Sequence, residues 1–575
     1  MAFFEFDAAH LLGRVREVDT RKVAIIVNRD EDLRKAHVGQ LLALTLSGGV
    51  DAWLIGIIDK VTKSVCVQDA EMDDTDETAV LEQEVVVNTV RTTLVGTAKW
   101  DAVKGKNVFS RSLNQVPEID ASCYVLKDQL LEKFMNLLTA EAGEEHSLEI
   151  GKYTIDESAK AFLDGNKLFQ RHAALLGSTG SGKSWTVASI LERAAKLKSS
   201  NLIVFDLHGE YRNLTYARHL AIPGPEDLGK TDEKLLYLPY WLLNAEEMQA
   251  MFIDGSEFSA HNQVMVFQDT VVKQKKETLM SLSKTEILES FTLDSPIPFS
   301  MDAVIGNLDA LNQEMEPGSN NKPKQGKFFG QFSRLLIRLR SKLQDKRYGF
   351  LFQAPESEHQ YDSMAKIAGK LMDYHADKAQ IKVIDFSEVP ADILPVIVGL
   401  VARMIYQIQF WTDHDKRRPL AFVCDEAHLY LPKKEGQNPV ERRAIEAFEK
   451  IAKEGRKYGV ALLIVSQRPS DVSSTVLSQC NNIIALRLTN ADDQTTVKKL
   501  MPESLESLLD VLPIMDIGEA LVVGDAVLLP SRIRIYEPTE KPQSATIDFW
   551  TEWQKDVVAP DFEKAVENMR RQGRS

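Results

Sequence analysis

The sequence lacks the features that mark secreted and disulfide-bonded proteins. Its few cysteines form neither a CxxC pair nor a metal-binding spacing: Cys66, Cys123, Cys424 and Cys480. Isolated cysteines of this kind are typical of reduced thiols in the cytosol. The N-terminus has no positively charged leader ahead of its apolar residues and carries Asp7 early, so we expect no signal peptide. We therefore predict a cytoplasmic protein.

The sequence also has little that would hold it in a membrane or spread it along a nucleic acid. Its longest apolar run, residues 394–411, contains Arg403, Gln407 and Gln409, which predicts a buried helix and no membrane association. The formal net charge of -15 excludes a protein that coats nucleic acid with its whole surface, because phosphate binding requires Lys and Arg. A local basic channel remains compatible with this charge.

The N-terminal region is rich in short β-type runs. The chain has 575 residues, more than one hydrophobic core usually organises, so we expect several domains. Residues 1–110 contain short apolar runs separated by Gly, Asn and Asp, which predicts a small β-barrel or sandwich. The acidic stretch 69–78 within it is either a solvated loop or a docking site for a basic partner. Residues 111–150 are predicted to form a linker and a helix.

The pattern changes to an α/β type after residue 150. Short, continuously apolar runs alternate with helical segments: HAALLG, NLIVFD, IKVIDF, LAFVCD, VALLIVS, NIIALRL and EALVVG. Runs buried on both faces are what a parallel sheet with helical crossovers produces. We assign this α/β core to residues 151–224 and 376–540. Residues 225–375 are predicted to be an inserted helical subdomain, and residues 541–575 a C-terminal tail.

A glycine-rich loop lies between the first apolar run and a predicted helix. It matches GxxxxGK(S/T) with Gly177, Ser178, Thr179, Gly180, Ser181, Gly182, Lys183 and Ser184. Glycines let successive N–H groups turn inward, and the helix N-terminus adds partial positive charge, so the loop predicts a phosphate cradle. Lys183 would neutralise the β and γ phosphates of ATP, and Ser184 would bind Mg²⁺. We add Trp185, which follows the motif, to the nucleotide-binding residues.

Three further polar groups complete a predicted hydrolysis site. Asp425 and Glu426 follow the apolar run LAFVC, where Asp425 can hold Mg²⁺ and Glu426 can polarise the attacking water. Ser466, Gln467 and Arg468 end the next run; Gln467 is our choice of γ-phosphate sensor, and the alternative is a solvated turn. Just before that run, Arg456 or Lys457 could reach a nucleotide on a neighbouring subunit.

The chain resembles the HerA family of hexameric DNA-translocating ATPases, relatives of FtsK, in five motifs that occur in order: GSTGSGKS, NLIVFDLHGEY, the DEAH strand, EGRKYG and LLIVSQRPSDV. The resemblance implies a RecA-like P-loop ATPase core preceded by a small β-barrel. It assigns nucleotide and magnesium to Lys183, Ser184 and Asp425, and hydrolysis to Glu426 and Gln467.

The same resemblance assigns roles to further residues. Arg456 is similar to the arginine that a neighbouring subunit supplies, and Arg171 is similar to a family arginine near the nucleotide. Asp206, His208, Gly209 and Glu210 match a family signature. Arg532 or Arg534 would take part in an arm that clasps the adjacent subunit's nucleotide.

The resemblance also implies partners. These are a homo-hexamer, double-stranded DNA and an effector docked on the N-terminal barrel, either a nuclease or a sirtuin-like NADase in bacterial antiphage defence. Arg212, Lys433 and Lys434 are candidate DNA contacts. Two alternatives stay open: an ATP-dependent hexameric scaffold that switches its partner without translocation, and a coupling ATPase of conjugation or pilus assembly.

Overall fold

The computed structural model describes most of the chain. The described ranges are residues 3–46, 52–69, 82–142, 147–317, 323–373, 381–433, 439–544, 548–556 and 561–571. The chain folds into two compact units. The first comprises Met1–Arg193, Gln467–Ser470 and Cys480–Pro538, and the second comprises Ala194–Ser466, Asp471–Gln479 and Thr539–Ser575.

The described residues form twenty strands and seventeen α-helices. The strands are β1 (Leu11–Asp19), β2 (Lys22–Val27), β3 (Leu41–Thr45), β4 (Ala52–Asp69), β5 (Glu82–Asp101), β6 (Lys106–Ser110), β7 (Ser122–Val125), β8 (Ser147–Tyr153), β9 (Asp156–Asp164), β10 (Ala173–Leu176), β11 (Leu202–Asp206), β12 (Ala217–Ala221), β13 (Met315–Pro317), β14 (Pro323–Gln325), β15 (Ile381–Asp385), β16 (Leu420–Cys424), β17 (Val460–Ser466), β18 (Asn482–Ala485), β19 (Glu519–Gly524) and β20 (Ser531–Ile535).

The helices are α1 (Asp30–Leu33), α2 (Asp128–Ala142), α3 (Gly165–Gln170), α4 (Lys183–Ala194), α5 (Ala245–Phe252), α6 (Ala260–Ser281), α7 (Thr285–Ser290), α8 (Met301–Gln313), α9 (Ser333–Gln344), α10 (Gly349–Phe352), α11 (Ser363–Met372), α12 (Leu394–Trp411), α13 (Pro439–Glu454), α14 (Ser474–Leu477), α15 (Ala491–Lys499), α16 (Phe549–Trp553) and α17 (Phe562–Arg571).

The first unit begins with a closed antiparallel barrel. Its strand order is β2-β1-β7-β3-β4-β5-β6, and an additional pairing of β2 with β5 closes six strands into a barrel that leaves β6 outside. Alternate residues point inward, so Val15, Ile25, Leu42, Leu54 and Val90 are buried together in the barrel core. The sequence analysis placed the end of this region at residue 110, but the barrel closes only with β7, which pairs with β1 and β3.

The rest of the first unit combines one parallel strand pair with antiparallel strands. The order is β10-β18-β19-β20-β8-β9, in which β10 and β18 are parallel and every later neighbour is antiparallel. The prediction of a parallel sheet was therefore wrong for EALVVG, which forms β19. This strand is buried on both faces like a parallel strand, and an apolar run alone does not reveal its direction.

The second unit contains a five-stranded parallel sheet. The order is β12-β15-β11-β16-β17, and all four neighbouring pairs are parallel. Helices α5 to α11 and the short β13–β14 hairpin lie between β12 and β15 in the chain, within the region predicted to be a helical insert. Because the strands are parallel, the residues that follow β11 and β16 meet at the carboxyl edge of this sheet.

Helix α12 is the long apolar run of the sequence. Among the described residues it is the one helix long and apolar enough to cross a membrane, but 67% of that stretch is buried inside the protein. It packs against α13 so closely that a Cβ on Gly399 would lie 2.8 Å from the Ala444 Cα. The expectation of a buried helix is confirmed.

Candidate nucleotide-binding site

The phosphate loop, residues 177–184, joins a buried strand to a helix in the first unit. Strand β10 ends at Leu176, and α4 begins at Lys183. Gly180 and Gly182 have φ angles of 72° and 102°, which residues with a Cβ rarely adopt. The chain therefore turns tightly between strand and helix, and the first N–H groups of α4 have no acceptor within the helix. Such a turn suits a bound anion.

The interior of the loop holds a buried hydroxyl and a buried ammonium group. Ser181 Oγ is buried and has no hydrogen-bond partner within the described residues. Lys183 is only 8% exposed, and its ammonium group donates to the Ser178 carbonyl at 3.2 Å. A buried ammonium and an orphaned hydroxyl are costly unless an anion joins them, so these residues fit the phosphates of ATP.

Neighbouring strands anchor the loop. Ser178 N–H donates to the Arg487 carbonyl at 2.8 Å, and Gly518 N–H donates to the Ser181 carbonyl at 3.2 Å. A Cβ on Gly177 would lie 2.5 Å from Ser181 Oγ. Gly518 was not predicted to be part of the site. The sequence feature that could have indicated it is a glycine directly before the apolar run of β19.

Gln467 touches the phosphate loop. Thr179 Oγ1 donates to Gln467 Oε1 at 2.5 Å, so the residue chosen as γ-phosphate sensor contacts the loop that would hold that phosphate. Ser184 and Trp185 occupy the first turn of α4 and are both half-buried.

The paired carboxylates lie at the carboxyl edge of the second unit's sheet. Asp425 and Glu426 directly follow β16. Asp425 is buried, and its Oδ2 accepts a hydrogen bond of 2.8 Å from the hydroxyl of Tyr211, which follows the neighbouring strand β11. Burial, together with the charge of Glu426, raises the pKa of Asp425 to about 7. A cation would favour the charged form, which makes Asp425 a suitable magnesium ligand.

Tyr211 is a functional residue that the sequence analysis missed. It is completely buried, and its backbone N–H also donates to Asp206 Oδ2 at 3.0 Å. Burial and the charge of Asp425 raise the pKa of Tyr211 well above its ordinary value, so its hydroxyl stays a donor. The signal in the sequence was a tyrosine in the family signature directly after Glu210. Tyr211 orients Asp425.

Glu426 has an unusual backbone conformation. Its φ of 46° and ψ of 42° lie in the left-handed region, which is uncommon for a residue other than glycine. Its carboxylate lies 3.3 Å from His428 Nδ1, and both side chains are 14% exposed. Strained backbone of this kind clusters at functional sites. The conformation is compatible with Glu426 as the residue that polarises water.

The signature after β11 forms a compact turn. The Asp206 carboxylate accepts backbone hydrogen bonds from His208, Gly209 and Glu210 at 2.8 to 3.3 Å. Burial nevertheless raises the pKa of Asp206 above its usual value. Asp206 therefore fixes the turn.

The candidate DNA contacts have different surroundings. The Arg212 guanidinium makes two contacts of 2.5 and 2.6 Å with Asp385 and one of 2.9 Å with Ser387. This arginine is held within its own chain. Lys433 is exposed, and Lys434 lies outside the described residues.

Arg456 lies far from Asp425 and Glu426 of its own chain. It is exposed in a turn that precedes β17, at the amino edge of the sheet that carries Asp425 and Glu426 at its carboxyl edge. Strand β16, which separates the two edges, spans about 16 Å at 3.3 Å per residue. Gly455 and Gly459 shape this turn, since a Cβ on Gly455 would lie 2.6 Å from the Val460 carbonyl oxygen.

Arg171 is not brought to the phosphate loop. It precedes β10, whereas the loop follows that strand, and four strand residues span about 13 Å. Its guanidinium lies 3.9 Å from Asp525. The family resemblance predicts that Arg171 lies near the nucleotide, and the structure places it at the end of β10 opposite the phosphate loop.

The described residues contain no cluster of three or more His, Cys, Asp or Glu side chains that could hold a metal ion by itself. Mg²⁺ usually keeps several waters and binds through one or two protein oxygens plus substrate phosphates. Ser184 in the first unit and Asp425 in the second unit each offer an oxygen of the kind that magnesium binds.

Comparisons with known proteins identify relatives of this chain among helicases. A model of the helicase HerA central domain matches residues 148–405, and a model of the HerA-like C-terminal domain matches residues 387–531. A probable helicase of Methanocaldococcus jannaschii is 26% identical over 77% of this chain and 75% of its own length. The DNA double-strand break repair helicase HerA of Pyrococcus furiosus is 25% identical over 88% of this chain and 86% of its own length.

Among solved structures, VirB4 of Thermoanaerobacter pseudethanolicus is similar over 68% of this chain and 97% of that chain, with a TM-score of 0.46 and 17% identity. The two HerA models together span residues 148–531, more than half of the chain. The chain therefore belongs to the HerA helicase family and is a P-loop ATP hydrolase with an α/β core and an N-terminal β-barrel.

Proposed function

We propose that the chain assembles into a homo-hexameric ring that hydrolyses ATP with Mg²⁺ to translocate or unwind double-stranded DNA for an associated effector. The observation that carries the proposal is the phosphate loop, in which a buried ammonium group and an orphaned serine hydroxyl surround a glycine turn at a helix N-terminus. An anion with several oxygens satisfies all of these donors at once.

The phosphate loop would bind and orient the nucleotide. Lys183 places its positive charge against the β and γ phosphates, and the N–H groups of residues 177–184 donate to the phosphate oxygens. Ser184 and Asp425 supply oxygen ligands for magnesium. The chemistry that a bound Mg²⁺ supplies is neutralisation of charge on the phosphates.

Glu426 and Gln467 would carry out the hydrolytic step. The oxygen of the attacking water would bond to the γ-phosphorus while the bond from that phosphorus to the β–γ bridging oxygen breaks and ADP leaves. Glu426 would accept the proton that the water loses. Gln467 would sense the γ phosphate through its hydrogen bond with Thr179 of the phosphate loop. A change in the loop when that phosphate is lost would therefore move Gln467 and the end of β17 that precedes it. Tyr211 keeps Asp425 in place during this step.

The position of Arg456 supports a ring of identical subunits. This arginine is exposed and lies at the sheet edge opposite the carboxylates of its own chain, so the chain that benefits from its charge would be a neighbour. An arginine delivered from the next subunit stabilises the charge that develops on the transferred phosphoryl group. Contacts of this head-to-tail kind close into rings.

Double-stranded DNA is the proposed track of the motor. The family is named for a helicase, and the Pyrococcus relative is named as a DNA double-strand break repair helicase. A chain with a net charge of -15 can still grip DNA, because six copies of a few basic residues converge on one axis.

The N-terminal barrel is the proposed dock for the effector. Its strands β1 to β7 end before residue 148, where the match to the HerA models begins. The partner that the barrel binds could therefore differ between members of the family. We propose that the effector is a nuclease or a sirtuin-like NADase, that the complex acts in the bacterial cytoplasm against phage, and that it needs no membrane.

The test is steady-state ATP hydrolysis by the purified protein with and without linear duplex DNA, with Lys183→Ala as the blank. We expect DNA to stimulate turnover several-fold in the natural protein and not in the variant. Turnover that is equal with every duplex would reject the motor. It would favour a scaffold whose ATP assembles and switches the partner.

A further inference from the structure

The helical insert carries a concentration of positive charge that the motor mechanism does not use. Residues 322–347 contain nine Lys and Arg and one Asp, in a chain whose net charge is -15. Helix α9 provides four of the nine, and the residues that flank it in the sequence provide the others. A basic segment of this density in an acidic protein indicates an anionic partner.

Two of the four positive charges of α9 point away from its packed side. Leu335, Leu336 and Leu339 are buried, whereas Arg334 and Arg340 are exposed, and Ile337 between them is 67% exposed. The leucines and the arginines occupy different faces of the helix, so packing does not require the arginines. Lys327 and Lys346, in the turns before and after α9, are also exposed. We call these four side chains and Ile337 the insert basic face.

The ion pairs of this segment leave the insert basic face accessible. Arg338 is committed internally, since it donates to Glu257 and to the Phe252 carbonyl. Arg340 pairs with Asp309 at 2.6 Å, but the two side chains are 50% and 32% exposed, and surface pairs of this kind contribute little to stability. Arg340 can therefore exchange Asp309 for a phosphate.

Helix stability does not explain the placement of Arg334. It lies in the first turn of α9, where the helix dipole disfavours positive charge, and this turn contains no acidic residue. The helix also begins without a side-chain cap. A positive side chain at an uncapped positive helix end becomes more favourable when an anion lies beside it, and Asp254 and Glu257 already supply part of that negative charge.

We propose that the insert basic face binds the phosphate backbone of duplex DNA. The proposal rests on the proposed function, because the ligand is the DNA on which the motor would act. Arg334 and Arg340 are about 9 Å apart along the helix axis, a length over which duplex DNA presents about five phosphate charges. The interaction reads no base sequence, because it touches only the backbone.

The experiment measures binding of a fluorescein-labelled duplex to the full-length protein by anisotropy at a series of salt concentrations, without nucleotide. The test variant is Lys327→Gln/Arg334→Gln. The matched control is Lys104→Gln/Lys160→Gln, which removes two exposed lysine charges from the first unit. ATP turnover without DNA and sedimentation show that each variant is folded and assembled.

We expect the test variant to bind DNA several-fold more weakly. The slope of log K against log salt should fall by about 1 for each DNA phosphate that the variant no longer neutralises. The control variant should retain the slope of the natural protein. Equal slopes in the test and control variants would overturn the inference and leave the proposed function intact if DNA still stimulates turnover. A natural protein that neither binds duplex nor responds to it would overturn both.

A second outcome distinguishes the alternative partner. If the test variant retains DNA binding but loses binding to an acidic polypeptide such as polyglutamate, the insert basic face is a protein-docking surface and the proposal is wrong. A charge-reversed variant, Arg334→Glu, should weaken DNA binding further than Arg334→Gln, and equal binding of the two would also contradict it.

Discussion

Glu426, the proposed proton acceptor, has a strained backbone. A left-handed backbone at a residue with a side chain costs about 1 to 2 kcal/mol, and the surrounding fold must hold it there. Tyr430, four residues further along, contributes, because its hydroxyl donates to the Asp425 carbonyl at 3.0 Å. The left-handed conformation of Glu426 turns the chain at the end of β16, where it would otherwise continue extended. This turn sets the direction of the Glu426 carboxylate.

The first prediction concerns this carboxylate. Glu426→Gln keeps the shape of the side chain but removes the proton acceptor, so we expect ATP turnover to fall by about 10²- to 10⁴-fold. Binding of a fluorescent ATP analogue should remain within a few-fold of the natural protein, because the phosphate loop is unchanged. Retention of more than a tenth of the turnover would show that another group activates the water.

At the scale of elements, the phosphate loop depends on two different properties of glycine. A Cβ on Gly177 would collide with Ser181 Oγ and would lie 2.8 Å from the Leu486 Cβ. A Cβ on Gly180 would meet nothing within 4 Å, and only its φ of 72° opposes a side chain. The loop therefore needs a glycine at position 177 because there is no room for a Cβ, and a glycine at position 180 because φ is positive there.

These two glycines form a matched pair for the second prediction. Gly177→Ala should displace the loop and weaken ATP binding by at least tenfold. Gly180→Ala should cost about 1 to 2 kcal/mol of stability through its backbone angle and should weaken ATP binding less. Isothermal titration with a non-hydrolysable ATP analogue and thermal unfolding measure the two effects. Equal loss of binding in both variants would contradict the packing argument.

The helical insert contains a buried lysine. Lys275 on α6 is fully buried, and its ammonium group donates to the carbonyls of Leu293 and Ser295 at 2.7 Å each. Burial lowers the pKa of Lys275 to about 8, below the ordinary value for lysine. Between pH 8 and the unfolded pKa of about 10.4, the unfolded chain binds the proton more strongly than the folded chain.

The third prediction follows from this difference. The free energy of unfolding should rise with pH between about 8 and 10.4 through Lys275, because the penalty of burying its charge disappears. Lys275→Met should flatten this rise, and urea unfolding of both proteins across this pH range measures it. Lys273→Met, which changes an exposed lysine on the same helix, is the control. Identical pH profiles for the natural protein and Lys275→Met would contradict the expected effect.

Local elements could be predicted from the sequence, and long-range arrangement could not. The phosphate loop was predictable because its strand, glycines and helix are contiguous in the chain. The direction of β19 was not, because a strand buried on both faces gives the same apolar run in either orientation. Tyr211 and Gly518 were missed because they reach their partners only after the sheets assemble. The role of Arg171 near the nucleotide stays a prediction, since the sequence alone does not show how far that end of β10 lies from a bound nucleotide.

At the scale of the whole molecule, the proposed ring makes neighbouring subunits share a site. Asp425 and Glu426 lie at the edge of the parallel sheet opposite Arg456, so in the proposed ring an isolated chain would lack the arginine at its nucleotide. Activity should therefore depend on protein concentration until rings are complete. The same arrangement would allow a mixture of two different inactive variants to regain activity.

The fourth prediction uses this sharing. Arg456→Ala and Glu426→Gln should each be nearly inactive alone, and a mixture should recover part of the turnover. Recovery occurs because a subunit with an intact Glu426 can receive Arg456 from its Glu426→Gln neighbour. Mixing Lys183→Ala with Glu426→Gln is the control, since both changes disable the subunit that binds the nucleotide. Absence of recovery in the first mixture would mean that Arg456 does not act between subunits.

The most direct test of the account is displacement of a labelled third strand from a DNA triplex. A motor that tracks along duplex DNA removes the third strand in its path, whereas a scaffold that only binds DNA leaves it in place. We expect the natural protein with ATP and Mg²⁺ to release the strand, and no release with Glu426→Gln or with a non-hydrolysable ATP analogue. Turnover stimulated by DNA without any release of the strand would contradict translocation.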